Sequence, residues 1–364
     1  MRISVAPIPT QVGLRINQLT TNFGEAASIS LKPSKGATTL PDWAARTDMD
    51  IRIFAEPQLG ASYDEQLAVA KAVERLGFGG YFRADHLMRE GSFTRQAGPT
   101  DVWMTLAGLA RETSRIRLGS LMSCSTFRNP AHLAIIAAQT DAMSDGRIEL
   151  GLGAGSFPGE HDALGIPSPS MRDRFDGAEE QLELITGLWT APLGELYTYE
   201  GKQYRVHDYP ALVRPVQTPY PPIIIGGHGL KRTPALAARY ANEYNIDGVG
   251  PAACTQAYNR VRQACERIDR DPAGITFSAV VAVCCAQDSA DLARRIRVIN
   301  TAVSDWKDPA QTISEGVFGR PQEVVSQLRA FRHAGAERVY LQLFDLTDLD
   351  QLELIAQEVL PHLP

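Results

Sequence analysis

From residue 50 onward, short β-rich runs alternate with amphipathic helical stretches, and this alternation constrains the fold of the 364-residue chain more than any other feature. Eight runs read as strands: Ile51–Ala55, Gly80–Ala84, Ile116–Met122, Arg147–Gly151, Pro222–Ile225, Glu243–Ile246, Phe277–Cys284 and Arg338–Gln342. The helical stretches between and after them carry apolar residues three or four apart: Tyr63–Leu76, Val102–Thr113, Ala131–Met143, Asp173–Trp189, Lys231–Ala241, Thr255–Asp269, Pro321–Ala334 and Leu349–Leu360. Eight βα units predict an α/β chain closed as a (β/α)8 TIM barrel rather than an open sheet. Leu196–Val206 alternates around Glu200-Gly201 and reads as a hairpin inserted after the fourth helix.

Residues 1–48 lack sustained periodicity and are rich in Ser, Thr, Gly and Pro, so they read as an N-terminal extension to a barrel domain at 49–364. Met49 stands just before the first strand. That leaves two readings of the extension open, an upstream extension of the reading frame or a strap packed across the barrel.

A net charge of −6 argues against a general nucleic-acid surface, so any anionic ligand must find locally arranged donors. No apolar run approaches the roughly 18 residues of a membrane span, and the N-terminus lacks the apolar core of a secretion signal. Five cysteines (Cys124, Cys254, Cys265, Cys284, Cys285) without CxxC spacing fit reduced thiols in a cytoplasmic protein better than disulfides or zinc. Neither GxSxG nor HExxH occurs, and nothing requires a metal.

In this fold the loops after the strands form the active-site face. The second strand runs into Arg83-Ala84-Asp85-His86, which puts a carboxylate and an imidazole side by side; His86 can give or take a proton, with Asp85 orienting it. Glu56, ending the first strand, is a further acid/base or polar-contact candidate. The third strand leads into the small, polar stretch Leu121-Met122-Ser123-Cys124-Ser125-Thr126, against which a planar ring can lie. Gly151-Leu-Gly153-Ala154-Gly155 follows the fourth and permits close backbone approach. After the fifth, Gly226-Gly227-His228-Gly229 opens a helix beside Lys231 and Arg232, an arrangement suited to phosphate.

Taken in order, these loops resemble the luciferase-like monooxygenase superfamily, specifically its coenzyme F420-dependent oxidoreductase branch, over about residues 50–362. The stretches carrying the likeness are Ile53–Gln58, Arg83–His86, Thr126–Pro130, Leu150–Gly155, Glu160-His161, Arg174–Asp176, Leu188-Trp189 and Pro222–Gly227. The resemblance implies a luciferase-like barrel holding F420, with a non-proline cis peptide at Leu121-Met122 beside the ring. It implies ring-edge contacts from Asp85 and His86, phosphate contacts from Gly226, Gly227, His228 and Gly229, and the Gly153–Gly155 turn lying beside the cofactor. Some sugar-phosphate-oxidising relatives place a glutamate directly after that turn; Ser156 stands here and argues against that substrate.

The chemistry so implied is hydride transfer between the deazaflavin and a small organic substrate, a carbonyl, an alcohol or an activated double bond, with His86 managing the proton and Asp85 behind it. Two other readings stand beside it: an FMN-dependent monooxygenase of the same fold and a non-catalytic F420-binding protein. The expected partners are a small-molecule substrate and a second copy of the chain as a homodimer, without nucleic acid or membrane.

Overall fold

The computed structural model describes residues 49–88, 100–155, 157–303 and 308–364. The extension at 1–48, the segment 89–99, Ser156 and Trp306 lie outside these. In chain order the elements are β1 (Asp50–Ala55), α1 (Tyr63–Leu76), β2 (Gly80–Arg83), α2 (Val102–Glu112), β3 (Arg117–Cys124), α3 (Pro130–Ser144) and β4 (Ile148–Gly153). Next come α4 (Pro158–Leu164), α5 (Met171–Thr190), the hairpin β5 (Leu196–Glu200) and β6 (Arg205–Pro210), β7 (Ile223–Gly226), α6 (Arg232–Tyr240), β8 (Glu243–Asp247) and α7 (Pro251–Glu266). The chain ends with β9 (Thr276–Cys285), α8 (Ser289–Val303), α9 (Pro309–Glu315), β10 (Val317–Gly319), α10 (Pro321–His333), β11 (Arg338–Leu343) and α11 (Leu349–Glu358).

Parallel pairing runs β1–β2–β3–β4–β7–β8–β9–β11 and returns from β11 to β1, closing the barrel. All eight strands expected from the alternation are present. The local signals explain the helix limits. Ser62 caps α1 in a reciprocal box with Glu65, and Gly77, at φ 86°, ends it in the left-handed conformation that glycine adopts without strain.

Three helices and one strand were not expected. The helices α4 and α9 have seven residues each and start at a proline, too short for an apolar period to show. The longer α8 packs Leu292, Ile296, Ile299 and Val303 around Cys284. The last three residues of β9, beyond the reach of β11, pair with β10.

Alternation along the strands divides the apolar side chains in two. Phe54, Phe82, Leu121, Ile224, Val280 and Tyr340 fill the barrel interior together with Ala84, and the larger core lies between strands and helices. At the N-terminal end of the strands the filling is ionic: Arg52 reaches Asp50 and Glu149, Arg117 reaches Glu149, and Arg338 reaches Asp50 and Glu243. No helix of the described residues is long and apolar enough to cross a membrane.

Candidate active site

The C-terminal strand ends carry the candidate residues. At the end of β1, Glu56 accepts a hydrogen bond from Gln342 of β11 (2.7 Å) and another from Gln58. Burial pushes its carboxyl above the usual range, against the opposing pull of His86 and the two amides.

Asp85 and His86 follow β2 directly, and successive side chains of an extended segment point to opposite sides. Asp85 turns away from His86: its side chain is fully buried, and it accepts from the Cys124 amide (3.3 Å) and from both ends of the Arg128 guanidinium. Burial raises its pKa even so. His86, whose side chain is 37% exposed, instead places Nδ1 3.0 Å from Glu160 Oε2. The expected pairing is therefore corrected: the carboxylate behind His86 is Glu160 of α4, and Asp85 braces β2 to the loop after β3. Glu160 is buried to 2% and its other oxygen accepts the amides of Leu87 (2.5 Å) and Met88 (3.2 Å). Burial alone would lower the His86 pKa; the bond to Glu160 and the charges of Glu56, Glu160 and Asp85 outweigh it and raise it.

The Leu121-Met122 peptide is cis, and the register of β3 on β4 shifts between Ser120 and Ser123. Ser123 is spent on the outward side, accepting from Trp103 and donating to Ser120 at 3.0 Å each. Met122 lies where the ends of β3, β4 and β7 converge: a Cβ added at Gly151 or Gly226 would approach its side chain to 2.9 Å, and Gly153 lies in ordinary contact with it. Those two glycines therefore make room for protein, whereas the sequence offered them to a ligand.

Behind this wall runs a buried polar chain, Cys124 Sγ to Thr126 Oγ1 (2.9 Å) to His161 Nε2 (2.6 Å), anchored by His161 Nδ1 on the Phe157 carbonyl (3.1 Å). Burial pushes the Cys124 thiol up. Gly155 has φ 81° and lies so close to Cys124 that an added Cβ would stand 2.7 Å from the sulfur. Arg174 of α5 donates to the Gly155 carbonyl (2.8 Å), and its buried Nε has no hydrogen-bond partner among the described residues.

Gly227, at φ 119°, faces open space, with its carbonyl held by Tyr244 Oη at 2.9 Å. His228 pairs with Asp247 at 3.1 Å, both exposed. Gly229 packs on Thr233. The two cations expected to flank this turn part company. Arg232 swings to α5, pairing with Asp176 and lying 5.2 Å over the Phe175 ring, while Lys231 makes no ion pair among the described residues. A cleft of about 570 Å³ opens above β11 between Glu56, α8 and the Phe344–Thr347 loop.

Sequence reasoning thus located the strand-end loops but missed Glu160, Arg128 and Arg174 as their supports. Pro158, just beyond the glycine turn, is the local signal that a helix carrying Glu160 starts there.

Comparison with known proteins gives a family. The model of the luciferase-like monooxygenase family matches residues 49–338. Among curated proteins, the chain is 30% identical to y4wF of Sinorhizobium fredii over 54% of this chain, spanning about half (53%) of that relative's length. It is 30% identical to the F420-dependent glucose-6-phosphate dehydrogenase of Intrasporangium calvum, covering 72% of each chain. Among solved structures, an F420-dependent secondary alcohol dehydrogenase in complex with an F420-acetone adduct superposes with a TM-score of 0.74 at 19% identity, over 86% of this chain and 99% of that one.

Proposed function

Because the chain belongs to the luciferase-like monooxygenase family, we propose that it is a coenzyme F420-dependent oxidoreductase acting on a small organic carbonyl, alcohol or activated double bond. The observation that carries this reading is the half-exposed His86 imidazole, held on the buried Glu160 at the barrel mouth beside strand ends open to a ligand. Relatives named as F420-dependent dehydrogenases support the cofactor.

The residues present fit such a group. Open space beside Gly227 admits a phosphate to the backbone, and Arg174 Nε behind Gly155 is a buried donor without a partner among the described residues. In this reading Gly227, His228 and Gly229 hold the phosphate, and Met122, Cys124, Gly153, Ala154 and Gly155 line the ring side with Leu121, while Ser123 turns outward to Trp103. When bound, the deazaflavin supplies a carbon centre that gives or takes a hydride. The protein's own share is positional. The loops after β3 and β4 would hold the ring, the apolar barrel interior would exclude water, and His86 Nε2, the nitrogen turned away from Glu160, would move the proton at the substrate oxygen or carbon. The cleft above β11 lies next to Glu56 and takes the substrate body. Ser156, where sugar-phosphate-oxidising relatives carry a glutamate, turns the reading away from glucose 6-phosphate.

The experiment is hydride transfer followed anaerobically with purified protein, F420 and a panel of ketones, alcohols and enones. Wild type is expected to turn over, and His86→Ala to lose about 100-fold or more in kcat with cofactor binding kept. Turnover only with reduced FMN and oxygen would assign the chain to the monooxygenase chemistry, and tight F420 binding without any turnover would make it a carrier.

A further inference from the structure

We propose that Arg297 of α8 makes the cleft above β11 a site for an organic acid: Arg297 holds a carboxylate of the substrate, the apolar walls take its body, and its reacting group lies at the Glu56 end. This rests on the reading of the chain as an F420-dependent oxidoreductase and adds to it a substrate class, a carboxylate-bearing carbonyl compound, alcohol or activated alkene.

Helix α8 has two faces. Leu292, Ile296, Ile299 and Val303 recur three or four apart and pack around Cys284. The opposite stripe, Arg294, Arg297, Val298, Thr301 and Ala302, has the same spacing and lines the cleft. Across from it, Leu59 and Ala61 after β1 and Phe344 and Leu346 after β11 supply apolar walls. The cleft, of about 570 Å³, has the size of a site for a small organic molecule, for which about 300–1,000 Å³ is usual. Because β1 pairs with β2, whose end carries His86, the Glu56 end of the cleft is the end nearest the barrel mouth.

Charge decides what sits against α8. The carboxylates of the lining are engaged by neutral donors: Glu65 by the Ser62 amide and hydroxyl (2.7 and 2.8 Å), Asp345 by the Thr347 amide and hydroxyl (2.9 and 2.6 Å), and Glu56 by Gln58 and Gln342. Of the two arginines, Arg294 pairs with Asp291 and Asp348 at 2.8 and 3.1 Å. Arg297 has no carboxylate one turn away on its own helix, where Ala293, Arg294, Asn300 and Thr301 stand. It makes no ion pair among the described residues, although Arg294 and Arg295 beside it each make two or more. In a chain of net charge −6, this is the place in the cleft where an anion is favoured. One guanidinium presents one planar fork, which matches the two oxygens of a carboxylate; a phosphate dianion calls for a second cation, and Asp291 and Asp348 hold that one.

The test uses methyl ketones that end in a carboxylate, in a series of chain lengths, with the matching secondary alcohols and the methyl ester of each. Binding to the full chain without cofactor is read by saturation-transfer NMR, apart from whether F420 binds. Wild type is expected to hold the best acid about tenfold more tightly than its ester, and Arg297→Gln to bring the two within about twofold. Arg297→Lys keeps the charge without the fork and should recover part of the preference. Lys71→Gln removes the same charge from the exposed face of α1, where Lys71 pairs with Glu112, and should leave the preference as in wild type. With F420 present, kcat/KM should show the same preference for acids and the same loss of it in Arg297→Gln. No binding of any acid, equal binding of acid and ester by wild type, or a preference unmoved by Arg297→Gln would overturn the assignment; so would a loss of F420 affinity in that variant with the preference kept. Absence of F420 binding would sink the functional reading and leave the comparison of acid with ester to decide the role of Arg297.

Discussion

Both ends of the barrel are furnished with buried charge, but the two ends treat it differently. At the N-terminal end every carboxylate in the interior faces arginine: Glu149 meets Arg52, Arg117 and Arg338, and although burial works against it, those charges pull its pKa well below the carboxylate range. Asp50, between Arg52 and Arg338, is lowered in the same way against burial. At the C-terminal end Glu56 and Asp85 are pushed up by burial that their partners do not offset, and the hydrogen bonds to Glu56 among the described residues come from amides. The lesson is that one end holds charge for architecture and the other keeps it incompletely matched, which is the usual condition of a site built for chemistry.

The largest effect that could break this comparison is expected at the closed end. Arg52→Met strips buried carboxylates of a partner and should cost about 3–5 kcal/mol in urea or guanidinium unfolding, because a buried charge without its counter-ion is left behind. The same logic gives a pH dependence. Glu149 and Asp50 have folded pKa values below their unfolded ones, so their stabilisation is present above about pH 4 and is lost as pH falls through the folded values; Glu149→Gln should flatten that acid limb.

Next in size is Arg128→Met at the mouth, which leaves the fully buried Asp85 carboxylate with the Cys124 amide alone. A loss of about 2–4 kcal/mol is expected in the same unfolding measurement, despite the residue's place among the candidate site loops. Smaller, and opposite in sign, is Glu56→Gln. A carboxyl whose pKa is raised by folding costs stability above its unfolded pKa, so the amide should stabilise the protein by about 1 kcal/mol at neutral pH and by nothing near pH 3, while lowering turnover. Destabilisation by Glu56→Gln at neutral pH would erase the distinction between the two ends.

The strand count, the hairpin and the loops of the mouth were legible because period-2 and period-3.6 patterns and glycine turns are local signals. The ionic layer was not: Asp50 and Arg52 on β1, Glu149 on β4, Glu243 on β8 and Arg338 on β11 become neighbours only when the barrel closes. For the same reason Asp85 was set behind its sequence neighbour His86, whereas the partner lies 74 positions away in the seven-residue α4. Gly151 and Gly226 signalled close approach correctly, but the approaching groups are protein, the Ser120 and Asn245 carbonyls first and the Met122 side chain next, all brought there only when the barrel closes. Arg232 stands beside the glycine turn in the sequence as a cation favouring an anion there; its length lets it reach Asp176 on α5 instead.

The most direct measurement is a titration of the purified protein with F420 and, separately, with FMN, following ligand fluorescence. Saturable one-to-one binding of F420, weakened by Gly227→Val and only slightly changed by His86→Ala, is expected. Binding of FMN with none of F420 would contradict the central claim that this barrel mouth is a deazaflavin site.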